Sequence, residues 1–353
     1  MKSIIQFIIS ILVIVFVAGC QSAGSNATQT TVDSIVKPAV VTELVQYDTD
    51  DPAIWVNPKD SSASLVLGTD KEADGALYVF DLNSKIIHDK VVKGLQRPNN
   101  VDVEYGLMLQ GKSTDIAVVT ERLTHKLRIY SLPDMRAIDN GGIEVFAGDT
   151  AMDYRALMGI GLYKNKAGQI FAIVGRKNGP ADGTYLWQYL LEDSSGTVRA
   201  RLVRKFGKFS GKKEIEAIAI DDALGYVYYS DEGFGVRKYY ADPANGNEEL
   251  AVFGETGFTM DQEGISIYAA TDSTGYILVS DQQSNRFYIY PREGERNNKH
   301  HHTLIKKVHL STLESDGSEV VSVPLNNVFT KGLFIAMSTD KCFHYYKWED
   351  IMK

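Results

Sequence analysis

The feature that most constrains this chain is a repeat. Residues 226–242 read as two strands around a tight turn. Residues 226–230 are β-branched and aromatic, Asp231-Glu232-Gly233 supplies the turn, and residues 236–240 are the return strand. The pattern recurs at 65–82, 116–132, 170–191, 277–291 and 333–348. Each copy has an apolar strand, a small residue, one or more charges, and a strand ending on aromatics. The small residues Thr69, Thr120, Gly175, Ser230, Ser280 and Thr339 stand about 50 to 60 positions apart, enough for one propeller blade. The repeats predict an all-β chain closed into a six-bladed β-propeller with four-stranded antiparallel blades. Residues 40–44 are the candidate for a strand that closes the ring on the last blade.

The chain has 353 residues, 44% of them hydrophobic, which is enough for a large core. A formal charge of -8 argues against a basic surface that holds nucleic acid. Before the repeats, Lys2 and the apolar run 4–18 lead into Val17-Ala18-Gly19-Cys20, which resembles a bacterial lipobox. Cleavage before Cys20 leaves a lipidated cysteine; the alternative is an uncleaved anchor, for which the run is short. Residues 1–20 are thus expected to be a lipoprotein signal peptide, 21–36 a flexible Ser/Thr/Ala/Gly-rich tether, and 37–353 the propeller. The expected location is the cell envelope, facing the periplasm or exterior, with the membrane touched only through the lipid. The remaining cysteine is Cys342, so no disulfide is expected. A single subunit is expected.

Loops at one rim of a propeller converge on its axis, and this chain puts two chemical types there. The acids are Asp50, Asp51, Glu216, Asp231, Glu232, Asp261 and Glu263; the bases are Lys71, Arg122, Arg176 and Lys177. Asp48, Asp50 and Asp51 repel one another unless solvated or bound to a cation. Alternation along a strand puts Glu216 on one face with Ile218 and Ile220, where an unpaired carboxylate is costly. Asp261 and Glu263 share a face if their segment is extended. The run Lys299-His300-His301-His302 reads as a solvated loop. Many carboxylates without Cys or a well-placed His favour a hard, oxygen-seeking cation, and calcium fits best. Lys and Arg beside it suit phosphate. Several such ions offset the repulsion between the acids and a polyphosphate, and lower the pKa of an attacking water.

Asp50-Asp51-Pro52-Ala53-Ile54-Trp55, Asn99-Asn100-Val101-Asp102, residues 215–222 and Asp261-Gln262-Glu263-Gly264 fall in an order that resembles the β-propeller phytases, over roughly residues 47–348. The resemblance implies a six-bladed hydrolase of the 3-phytase type acting on the calcium complex of phytate, or another inositol polyphosphate. It implies active-site calcium on Asp50, Glu216, Glu232, Asp261 and Glu263, with the last four also catalytic. A structural calcium would sit on Asp51 and the carbonyls of Pro52 and Val101. Phosphate would meet Lys71, Arg122, Tyr163 and Lys177, with Arg176 the alternative to Lys177. Met337-Ser338 stands where the family usually carries Gln-Asp, and the tail is shorter, which departs from a last-blade calcium site. Two other classes use similar folds: a calcium-dependent propeller lactonase, which has no use for a row of bases, and a non-catalytic binding propeller, which does not explain Glu216.

Overall fold

Runs such as Leu65–Asp70, Ile170–Arg176 and Leu333–Ser338 are buried along their whole length and carry no charge before their last residue. Such strands need cover on both faces. Neighbouring sheets supply it in the computed structural model, which describes residues 34–353. The chain forms six antiparallel sheets, one per repeat, with strands in chain order from the axis outward in the first five. Their inner strands are Thr49–Trp55, Pro98–Leu109, Leu157–Lys164, Ile218–Asp221 and Gln262–Ala269. In blade six, Ser318–Val321 is innermost and the outer strand is Val40–Val41, pairing Val40 with Tyr345 and Val41 with His344. The ring closes as expected, so its two ends are held by one sheet.

The buried apolar side chains form six clusters among the described residues, one in each seam between adjacent blades. Leu107, Val118 and Phe146 of blade two, for example, pack on Leu162, Val174 and Trp187 of blade three. Burying a side chain of this kind contributes roughly 1.5–3 kcal/mol, so the seams rather than the individual sheets hold the ring. The only α-helix among the described residues is the single turn Trp348–Ile351. It docks by stacking Trp348 on Tyr268 of blade five, with ring centroids 3.7 Å apart.

The repeated small residues have a specific task. Five of the six lie one position before the end of their blade's second strand, and the four of these that carry a hydroxyl use it to reach the inner strand of the next blade or the residues leading into it. Thr69 donates to the Asn99 carbonyl at 2.6 Å. Thr120 donates to Met158, Ser230 to Glu263 and Ser280 to Ser315, each at 2.7 Å. At Gly175 an added Cβ would lie 2.8 Å from the Ile215 carbonyl, so no side chain fits there. The sixth position is Met337, not Thr339, which lies in the following turn. The last seam is stitched from the other side, by Thr49 donating to the Ser338 carbonyl at 2.7 Å.

The histidine run also departs from expectation. His302 is buried, its Nδ1 2.7 Å from the Pro291 carbonyl and its ring against Phe253. Burial pushes its pKa down to about 4. The loop folds back on blades four and five because an aromatic pocket there accepts a neutral imidazole. Cys20 and the signal segment, with most of the tether, lie outside the described residues.

Candidate active site

The inner strands share one register. Pro52, Val101, Ile160, Ile218, Ile265 and Ser318 face Gly68, Val119, Val174, Tyr229, Val279 and Ala336 of the second strands. Two residues earlier in every blade come Asp50, Asn99, Met158, Glu216, Glu263 and Asp316. Blades one, two, three and five carry a bulge at this point, between Thr49 and Pro52, Pro98 and Val101, Leu157 and Ile160, and Gln262 and Ile265. A bulge adds one residue to the strand and re-aims its side chain. In blades four and six the strand starts only at Ile218 and Ser318, so Glu216 and Asp316 precede it. Strict alternation therefore does not apply to Glu216 or to the Asp261–Glu263 pair. Each is set by a strand entry or a bulge instead.

The next position inward is small in four blades: Gly159, Ala217, Gly264 and Gly317. A Cβ at Gly159 would overlap the Glu216 carbonyl, and one at Gly317 would overlap Asp51. These residues let the inner strands approach closely enough for carboxylates of four blades to share one axis. The result is a polar axial cavity of about 200 Å³, lined by Asp50, Asp51, Glu216 and Asp316 at its mouth. Deeper along the same channel lie Asp102, Glu104, Asp222 and Glu319. An open cleft of about 690 Å³ adjoins the mouth, lined by Glu214, Glu232, Asp261, Glu263, Lys177 and Lys213.

The two compartments meet where carboxylate oxygens of Glu214, Glu216 and Glu232 lie within 4.8 Å of one another. Asn99 Nδ2 donates to Asp50 at 3.0 Å and to Glu216 at 3.1 Å. Lys71 Nζ lies 2.5 Å from Asp50 and 3.2 Å from Asp316. Lys177 reaches Glu214 at 2.6 Å, and Lys213 reaches Asp261 at 2.5 Å. Burial is the first cause of every carboxyl shift here. It raises Asp50, Asp51 and Glu263 well above the ordinary range and Glu232 to about 9; neighbouring acids add to the shift on each. Glu232 Oε1, Glu263 Oε2 and Asn99 Oδ1 are buried without a hydrogen-bond partner. Buried oxygens with lone pairs unused, on acids that repel one another, fit a divalent cation with oxygen ligands.

The structure brings most of the expected residues together. Asp50, Asp51, Pro52, Val101 and Glu216 line the channel, while Glu232, Asp261, Glu263 and Lys177 line the cleft. Arg122 lies beside the mouth. Its Nε donates to the Leu157 carbonyl at 3.2 Å, and Glu216 and Asp50 attract its charge.

Three expected residues lie elsewhere. Arg176 is buried, donating to the Tyr185 carbonyl at 3.0 Å and to Asp149, with Phe146 under its guanidinium. It holds the turn after blade three's second strand, and the exposed neighbour Lys177 faces the cleft. Tyr163 lies five residues along the inner strand from Met158, roughly 16 Å at 3.3 Å per residue. It stacks on Phe171 in the seam with blade four, so the blade-three position at the mouth belongs to Met158. Asp231 is buried against Arg237 at 2.8 Å and accepts from Ser210, which makes it a brace for the loop rather than a ligand.

Asp316, Glu214 and Lys213 belong to the site and were not among the expected ligands. The register offers a signal for Asp316. Writing the six inner strands under one another puts it in line with Asp50, Glu216 and Glu263. Lys213 and Glu214 carry no such signal, because the segment before Ile218 is not a strand.

Comparison with known proteins agrees with this geometry. The family model described as Phytase matches residues 2–344. A curated 3-phytase of Bacillus subtilis (strain 168) is 28% identical over 321 residues, covering 86% of this chain and 80% of that protein. With a six-bladed ring, an acidic mouth and a family match over nearly its whole length, the chain belongs to the β-propeller phytase family.

Proposed function

We propose that this enzyme hydrolyses phosphate monoesters of phytate, or of a related inositol polyphosphate, with calcium held in the acidic mouth. One observation carries the reading: buried carboxylates from several blades converge with oxygens left unpartnered, inside a fringe of lysine and arginine. An anionic substrate is repelled by such acids alone, and the fringe has no purpose for a neutral one. Asp50, Glu216, Glu232, Asp261, Glu263 and Asp316 would hold the active-site ions, and Asp51 with the Pro52 and Val101 carbonyls an ion in the channel. Bound calcium neutralises the acids and the phosphate and lowers the pKa of water. The chain's own part is orientation. Lys71, Lys177 and Lys213 are each paired with a carboxylate in the free chain. Once those acids have a cation, the ammonium groups are available to phosphate oxygens. Arg122 is already held by the Leu157 carbonyl and the Met158 sulfur, with its charge attracted by Glu216.

Glu216→Gln tests this. The amide keeps the shape and removes a charge, so calcium affinity and phosphate release from phytate should fall together. Melting in chelator should not fall, because the buried charge and its repulsion are gone. Full activity of the wild type in chelator, or the same calcium dependence in both proteins, would remove calcium from the mechanism. We also propose that the chain is a lipoprotein anchored through Cys20. Cys20→Ser should then leave the protein unprocessed by the lipoprotein pathway, with the apolar run still attached and no lipid added; maturation and partitioning just as in the wild type would refute it.

A further inference from the structure

The described residues hold a second group of metal-ligating side chains, chemically unlike the first. Asp340 lies in the turn between the strands Leu333–Ser338 and Cys342–Lys347 of blade six. Cys342 and His344 follow at alternate positions, so they share one face of that strand. A carboxylate oxygen of Asp340, Cys342 Sγ and a ring nitrogen of His344 all lie within 4.8 Å of one another. Cys342 Sγ is 3.1 Å from Asp340 Oδ1. His344 Nδ1 is 3.2 Å from the Tyr346 hydroxyl, which orients the ring and leaves its other nitrogen unused by that contact. An outer partner on one imidazole nitrogen is the usual support for a metal on the other.

We propose that Asp340, Cys342 and His344 bind a divalent transition metal of the zinc class, at a site separate from the oxygen cluster on the axis. Sulfur, nitrogen and one carboxylate are the donors zinc takes, whereas calcium takes oxygen. Bonds of about 2.0–2.3 Å in a tetrahedron put ligand atoms roughly 3.5 Å apart. The Asp340–Cys342 contact, at 3.1 Å, is within about 0.4 Å of that spacing, and Asp340 lies on an exposed turn. Cys342 and His344 are buried, and the Cys342 thiol donates to Asp340. Binding therefore exchanges the thiol proton for the metal: the S–H bond breaks, an S–metal bond forms, and one proton leaves to solvent.

The place gives the site a consequence. Val41 pairs with His344, the Phe343 amide donates to Thr42 Oγ1 at 2.9 Å, and the Val45 amide donates to the Lys341 carbonyl at 3.0 Å. A metal here clamps the strand on which the N-terminal segment closes the ring, and stabilises the folded chain by mass action.

The test is a titration of the full chain with Co²⁺, in calcium excess so that the oxygen sites are filled. A thiolate-to-cobalt charge-transfer band should grow to one metal per chain with release of one proton, and zinc should abolish it. The band should vanish in Cys342→Ser and in His344→Gln. Tyr346→Phe should weaken the affinity about 10- to 100-fold. Zinc should raise the melting temperature of the wild type and not that of Cys342→Ser. Absence of the band in the wild type overturns the proposal whether or not the variants fold. Persistence of the band in Cys342→Ser also overturns it, since the thiolate would then be Cys20.

Discussion

Arg176 and Lys177 are adjacent cations with opposite fates. Arg176 ends a buried strand and has its guanidinium committed to Asp149, to carbonyls and to aromatic faces. Lys177 begins the turn, with nearly half of its side chain in solvent. Arg176→Ala should therefore cost stability, about 3 kcal/mol, by leaving carbonyls and Asp149 without their partner. Lys177→Ala should leave melting unchanged and raise KM for phytate. Chemical denaturation and steady-state phosphate release on both variants separate the two roles; a stable, kinetically impaired Arg176→Ala would contradict the assignment. The same distinction separates Asp231 from Glu232. The first accepts from Arg237 and Ser210, and the second keeps an oxygen free in the cleft.

At the scale of the strand, the site depends on close approach at the axis. Gly159 sits where any Cβ meets the Glu216 carbonyl of the next blade. Gly159→Ala should push blades three and four apart at the mouth. Overpacking of this kind costs roughly 1–3 kcal/mol, and the shift moves Glu216 away from Asn99, which now holds it at 3.1 Å. Denaturant melts and calcium titrations should both show the loss. Unchanged calcium affinity in Gly159→Ala would mean that seam width does not set the cation site. The stitches behave differently. Thr120→Val keeps the spacing but removes the hydrogen bond to Met158 of the next blade and the one that Thr120 Oγ1 accepts from the buried Asn100 amide at 3.0 Å, a matter of about 2–3 kcal/mol.

The molecule as a whole stores protons in its channel. Glu104 is raised to about 8 by burial first and then by the neighbouring Asp222. Asp102 is raised to about 7, mainly by burial. A carboxyl raised on folding holds a proton that the unfolded chain has lost, so its contribution is full below the unfolded pKa near 4 and fades as pH rises through the folded value. His302, pushed down to about 4, acts in the opposite sense, but only below its unfolded pKa near 6.5. Chelated protein should therefore lose melting temperature between pH about 6.5 and about 8.5, and Glu104→Gln should flatten that loss. A melting temperature that is level or rises over this window would show that the channel acids are already ionised without metal.

Much of this was written in local pattern. The period of the strands, the small residue before each turn and the paired acids at the head of the inner strands are all visible in one dimension, because strand propensity and turn chemistry act over a few residues. That is why the six blades and the closing strand near Val40 could be named in advance, and why Asp50, Glu216, Glu232, Asp261 and Glu263, which line the channel and the cleft, stood out as candidates. Which way a charge faces was not so written. Arg176 and Lys177 differ by one position, and only the cover of blade three decides which is buried. Tyr163 and Met158 share a strand, and only its direction along the channel decides which one reaches the mouth. Asp316 falls in register with Asp50, Glu216 and Glu263, but it reaches Lys71 of blade one only because ring closure brings blade six beside blade one, a contact across most of the chain's length. Strand formation is set by neighbours in sequence; convergence on an axis is set by how tightly the seams pack, and that belongs to the tertiary structure.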